Sequence, residues 1–146
     1  MKFEDTLKEV FPETSDEYKL ILEASDLLAS SAPSIAAECK TIMILADHIK
    51  PRLAALYFLL SREISKMKET YQASYDAQYV RLVKMGRPSN AAIEAEIRVT
   101  NTEFITLSKQ IDKYEQVKEL INFYLRCIDS LKQSAIEILR DSRRID

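Results

Sequence analysis

The chain is poor in the residues that punctuate a backbone. Its 146 residues include one glycine and four prolines, where average usage would give about ten glycines. Sandwiches and barrels draw on Gly and Pro for hairpins and bulges, so neither is expected. Rossmann and P-loop phosphate cradles need several glycines within a few residues, and Gly86 stands alone. Tryptophan is absent, and there are only two cysteines and one histidine. Cys39 and Cys127 lie far apart without CxxC spacing, and His48 has no second imidazole. A disulfide framework and a zinc site are therefore not expected, and no cofactor is implied.

Long apolar runs are missing too. The most apolar window, Ile42 to Leu60, contains Asp47, His48, Lys50, Pro51 and Arg52, which a membrane span does not tolerate. The opening MKFEDTLKEV carries acidic residues where a secretory signal needs an apolar stretch. A cytoplasmic protein without a membrane partner is expected.

What is present is the material of helices. The chain is 47% hydrophobic and 30% charged, rich in Leu, Ala, Lys, Glu, Ile and Arg, which predicts one folded all-α domain over 1–146. Thr14 and Glu17 have capping-box spacing and open a first helix of about 15–30, stopped by Ser30-Ser31-Ala32-Pro33. Pro33 and Ser34 suit the entrance of a second, about 34–48. Pro51 either starts a new helix or kinks a continuous one. From residue 52 to 85, Leu53, Tyr57, Leu60, Ile64, Met67, Tyr71, Tyr75, Tyr79 and Leu82 recur by 3 or 4, the apolar stripe of one long helix. Gly86 at C′ and Pro88 after it end that helix, and Ser89 and Asn90 supply N-caps for the next.

A fourth segment, 90–143, carries Ile93, Ile97, Thr100, Phe104, Leu107, Ile111 and Tyr114 at heptad positions. The stripe then slips by one and continues through Val117, Ile121, Tyr124, Ile128, Leu131, Ala135 and Ile138, like a stammer that changes packing partner or breaks the helix. The short turn at 86–89 folds segments three and four into an antiparallel, coiled-coil-like hairpin behind two shorter N-terminal helices. Because the fourth segment is the longer, the stripe formed by Val117, Ile121, Tyr124, Ile128, Leu131 and Ile138 lacks a partner within the hairpin. The first two helices or another copy of the chain could cover it; a homo-oligomer is expected.

The net charge of −2 and pI near 5.6 conceal a pattern along the chain. Residues 1–49 carry 4 basic and 10 acidic side chains, 50–87 carry 8 and 3, and 88–146 carry 9 and 10. The middle is basic, and four of the seven tyrosines, Tyr57, Tyr71, Tyr75 and Tyr79, are interleaved there with Arg62, Lys66, Lys68, Arg81, Lys84 and Arg87. Cations that track phosphates and aromatic faces that stack on unpaired bases are what single-stranded nucleic acid requires. Spacing on the apolar stripe gives Tyr75 and Tyr79 a competing role as core. Arg140, Arg143 and Arg144 form a second basic cluster that suits the negative end of a helix dipole. No catalytic constellation is present: Glu94/Glu96 and Glu115/Glu119 lack Glu-x-x-His spacing. Arg126, Asp129 and Arg140 bear only a superficial likeness to small helical chorismate mutases, so no enzyme is expected.

Several stretches resemble the phage recombination mediator family typified by UvsY. They are Met1-Lys2-Phe3-Glu4-Asp5, Arg81-Leu82 followed by Gly86-Arg87, and Glu96-Ile97-Arg98. The likeness extends through Leu120-Ile121-Asn122-Phe123-Tyr124, Ile128-Asp129-Ser130-Leu131-Lys132 and Ala135-Ile136, ending near Arg143. It covers about half the chain, mainly C-terminal, and the acidic N-terminal half departs from it. The resemblance implies a small helical protein that oligomerises, binds single-stranded DNA and helps load a recombinase onto DNA coated with single-strand-binding protein, in the cytoplasm of an infected host cell. It places DNA contacts just upstream of the glycine turn, at Arg81 with Lys66, Lys68, Lys84 and Arg87 as neighbours, and assembly in the C-terminal stretch. The alternative is a coiled-coil assembly protein with no nucleic-acid role.

Overall fold

The computed structural model describes residues 3–29, 35–86, 89–100 and 102–145. These form five helices: α1 (Phe3–Val10), α2 (Asp16–Ala29), α3 (Ala36–Lys84), α4 (Asn90–Thr100) and α5 (Thr102–Ile145), with no strand among the described residues. They group into two compact units, one of Met1–Leu59 with Val117–Asp146 and the other of Leu60–Gln116.

The N-terminal helices differ from those expected. α1 was not foreseen from the spacing; it turns Thr6, Leu7 and Val10 inward and stops before Pro12. The α2 cap is displaced by one residue. Ser15 Oγ accepts the Tyr18 N–H at 3.2 Å and donates to the Pro12 carbonyl at 2.6 Å, so Ser15, not Thr14, is the N-cap. The stop expected at Ser30–Pro33, and Ser34 with it, lies outside the described residues.

Of the two outcomes open at Pro51, the continuous helix is the one formed. A proline inside a helix costs about 3 kcal/mol, because Asp47 loses its backbone donor and the ring crowds that carbonyl. Ile49, Leu53 and Leu56 on either side are all buried. At roughly 1.5–3 kcal/mol each, their burial exceeds the proline penalty, and the helix runs through. The buried series Cys39, Ile42, Ala46, Ile49, Leu53, Leu56 keeps its 3–4 spacing across the proline.

In the first unit α3 and the later part of α5 are antiparallel, as two crossed ion pairs show: Asp47 with Lys132, and Lys50 with Asp129. Glu23 of α2 reaches Arg52 of α3 at 3.4 Å. The core is closed by Leu20, Ile21, Ala24 and Leu27 of α2 and by Val117, Ile121, Ile128 and Ala135 of α5. The C-terminal stripe therefore has its partners in its own chain. Cys39, Ile42 and Ala135 form one cluster, on which Met43, Leu131, Ile138 and Leu139 pack.

The second unit is the hairpin. Leu82, Ile93, Ile97 and Phe104 form its core, with Tyr71, Tyr75 and Tyr79 packed against them. At the tip Gly86 has φ +80° and donates its N–H to the Val83 carbonyl at 3.0 Å. Ser89 Oγ accepts the Ala92 N–H at 3.2 Å and caps α4; Arg87 and Pro88 lie outside the described residues. Of the segment expected over 90–143, α4 and α5 describe all but residue 101, which lies outside the described residues. The slip near Val117 does not break α5: burial steps six residues from Ile111 to Val117, then 4, 7 and 7 to Ala135. Val117 is also where α5 passes from the second unit into the first.

Nothing lies within 4 Å of a Cβ added at Gly86, so the cost of a side chain there is the left-handed backbone alone. Gly86→Ala is expected to lose about 1 kcal/mol in urea unfolding, and Gly86→Asn less. A loss beyond about 3 kcal/mol would mean that the tip is crowded in a way the structure lacks.

Candidate nucleic-acid interface

Every described cation proposed from the sequence belongs to α3 in the second unit, and helix geometry sorts them. At 100° per residue Arg62, Lys66 and Lys84 fall within about 40° of one another, with Arg81 a further ~60° round. All four are exposed. Arg62 and Lys66 are separated from Lys84 by about 27–33 Å of helix at 1.5 Å per residue, and the exposed Ala73 and Ala77 lie between. Among the described residues Arg62, Arg81 and Lys84 have no carboxylate partner, whereas Lys66 approaches Glu63 at 3.5 Å. Lys68 is on another side of the helix and pairs with Glu115 of α5 at 2.6 Å, so it does not join the row. Arg87 lies outside the described residues.

The tyrosines are used for packing. Tyr75 and Tyr79 are half-buried and stack on each other, with centroids 6.4 Å apart and 24° between planes. Tyr75 also meets Phe104 edge-on at 5.9 Å, and the Tyr79 hydroxyl donates to Asn90 Oδ1. Burial, reinforced by Glu94 and partly offset by Arg98, holds the Tyr75 phenol above the ordinary tyrosine value of 10.0. Its protonated form is thus favoured by the fold, a contribution complete below that value and lost as pH rises past it. Tyr75 and Tyr79 thus pack on the hairpin core, the role that competes with base stacking.

Folding also dilutes the basic middle segment. Residues 50–87 carry five excess positive charges, but the second unit, 60–116, has 9 basic and 8 acidic side chains, a net of +1, because α4 and α5 bring carboxylates with them. A local row on α3 is left, not a basic face.

Within the single chain, the residues expected to form an oligomer interface are buried or half-buried. Val117, Ile121 and Ile128 are fully buried within the first unit, and Leu131 and Ile138 pack against Cys39, Ile42 and Ala135. Tyr124 is half-buried. The apolar side chains that do face outward were missed: Ile44 and Phe58, each 70% exposed, and Phe123. The signal was available, since Ile44, Pro51, Ala55 and Phe58 fall within about 60° on α3, on the side away from the buried stripe.

Elsewhere the chemistry is sparse. His48 sits within α3, its Nε2 3.2 Å from Arg52 Nη1; arginine only donates, so this nitrogen is the acceptor. Cys39 is buried and Cys127 half-buried, both as free thiols. Asp129 is held by Lys50 and does not form a constellation with Arg126 and Arg140. Among the described residues no three His, Cys, Asp or Glu gather as a metal site, and no helix is long and apolar enough to cross a membrane.

No family model, curated protein or solved structure matches the chain.

Proposed function

We propose that the protein is a non-enzymatic, single-stranded-DNA-binding recombination mediator that works as a homo-oligomer and helps load a recombinase onto DNA coated with single-strand-binding protein. The observation that carries this is the exposed row on α3, in which Arg62, Arg81 and Lys84 have no carboxylate partner among the described residues. Cations held along a rigid helix and free of partners release counterions when phosphates approach. With the tyrosines packed, binding is electrostatic and tolerant of sequence. A row of four cations is weak alone, and an oligomer multiplies it by presenting several rows to one strand. The outward apolar positions Ile44, Pro51, Ala55 and Phe58 supply a surface on which copies can meet. The link to a recombinase and a coating protein rests on the resemblance to the UvsY-like mediators.

Titration of fluorescent single-stranded and duplex oligonucleotides at low and moderate salt tests this. Micromolar or tighter binding is expected, preferring single strands and weakening with a log–log salt slope of about −0.7 for each phosphate engaged. Absence of binding at low salt overturns the proposal. The near-neutral second unit and the packed tyrosines would then favour the second reading, an assembly protein with no nucleic-acid role.

A further inference from the structure

One concave site in the second unit is not explained by packing. A cleft of about 420 Å³ is lined by Tyr71 of α3, Ile97 and Arg98 of α4, and Phe104, Ile105, Ser108 and Lys109 of α5. That volume lies within the range of small-ligand sites. The cleft lies where α3 faces α4 and the first turns of α5. Ile97 and Phe104 are both buried and stand seven residues apart, two helical turns.

Its chemistry has two parts. The floor is apolar and aromatic: Tyr71 meets Phe104 edge-on with centroids 4.7 Å apart, beside Ile97. The rim carries two exposed cations, Arg98 and Lys109, and no carboxylate lines the cleft among the described residues. Among the described residues neither cation has a carboxylate partner, although like charges on one rim raise each other's energy. Ser108, half-buried in the wall, can both donate and accept a hydrogen bond. A purely apolar ligand would leave both cations without a counter-charge. Free phosphate would gain nothing from the aromatic floor. A planar heteroaromatic ring joined to a phosphate satisfies both, with the ring on the floor, its polar edge toward Ser108 and the phosphate between the cations.

We infer that this cleft binds one unstacked nucleobase together with its phosphate. It rests on the strand-binding proposal only for the source of the base, since a free nucleotide offers the same chemistry. Arg62, Lys66, Arg81 and Lys84 do not line it, so the row and the cleft can be altered separately.

Titrations of the full-length chain with thymidine monophosphate, thymidine, inorganic phosphate and a 15-mer of deoxythymidylate, followed by NMR, test the site. Thymidine monophosphate is expected to saturate with shifts centred on Tyr71, Ile97 and Phe104 to Lys109. Thymidine and phosphate alone should bind at least about tenfold more weakly, since each forfeits one half of the site. Arg98→Gln with Lys109→Gln should lose at least about tenfold in affinity for the monophosphate, and Ser108→Leu should block entry by filling the wall. Shifts of the same resonances by the 15-mer identify a strand as the source; shifts by the monophosphate alone identify a free nucleotide. No saturable shift with the monophosphate, or unchanged affinity in the double variant, overturns the cleft. If the 15-mer still binds in that case, the strand-binding proposal stands. If the 15-mer fails while the monophosphate binds, the cleft stands and the strand-binding proposal falls.

Discussion

Ile121→Asp unfolds the first unit instead of merely dissociating an assembly. Ile121 is 0% exposed, as are Ala24 of α2 and Leu53 of α3 in the same unit. Truncating a buried isoleucine costs about 2–5 kcal/mol, and a carboxylate without a partner in the same place adds several more, or forces a proton onto itself. The sum is of the order of the whole stability of a small domain, about 5–15 kcal/mol. Circular dichroism should show loss of the cooperative melt together with much of the helical signal. Phe58→Glu is the matched control: its parent side chain is 70% exposed, so the melt should shift by less than about 1 kcal/mol, with any change confined to the mass in solution. An Ile121→Asp protein that melts like the parent but has a lower mass would restore Ile121 to an interface between copies.

That contrast marks what the sequence can and cannot convey. Local signals were legible: the 3–4 spacing from Leu53 to Leu82 became one side of α3, and Gly86 became the left-handed stop of the hairpin. Both depend on neighbours a few residues away. The balance at Pro51 was not legible, because it is decided by how deeply Ile49, Leu53 and Leu56 are buried, which only the assembled core determines. The cover of the Val117 to Ile138 stripe stayed open between the first two helices and another copy for the same reason. Leu131, Ala135 and Ile138 pack with Cys39 and Ile42 in the early turns of α3, 93 to 96 residues before Ala135 in the chain. At the candidate interface the identity of the cations could be read but not their freedom. Lys68 and Lys84 look alike in sequence until α5 brings Glu115 beside the first and no described carboxylate beside the second. The cleft at Tyr71 and Phe104 was invisible because its lining comes from α3, α4 and α5 together, and only the packing of the second unit brings Tyr71 to the same cleft as Arg98 and Lys109.

Arg81→Glu with Lys84→Glu should reduce affinity for single-stranded DNA at low salt by about 100-fold, as two charge-assisted phosphate contacts become two repulsions. The salt dependence is the more specific readout. Two fewer phosphates engaged should flatten the log–log slope by about 1.4, the loss expected from two contacts at ~0.7 each on a single strand. Both side chains lie in the last turn of α3, where positive charge also favours the helix dipole. Arg81→Gln with Lys84→Gln separates the two effects, because it removes the contacts without introducing repulsion. It should give the same slope change with a smaller loss of affinity, about tenfold. Lys68→Gln serves as the internal control, since its ammonium is held by Glu115 and its loss should alter neither quantity beyond about twofold. If the double glutamate variant keeps the parent slope, the strand does not follow the α3 row. A slope that flattens only with Lys68→Gln would move the contacts to the side of α3 that faces α5.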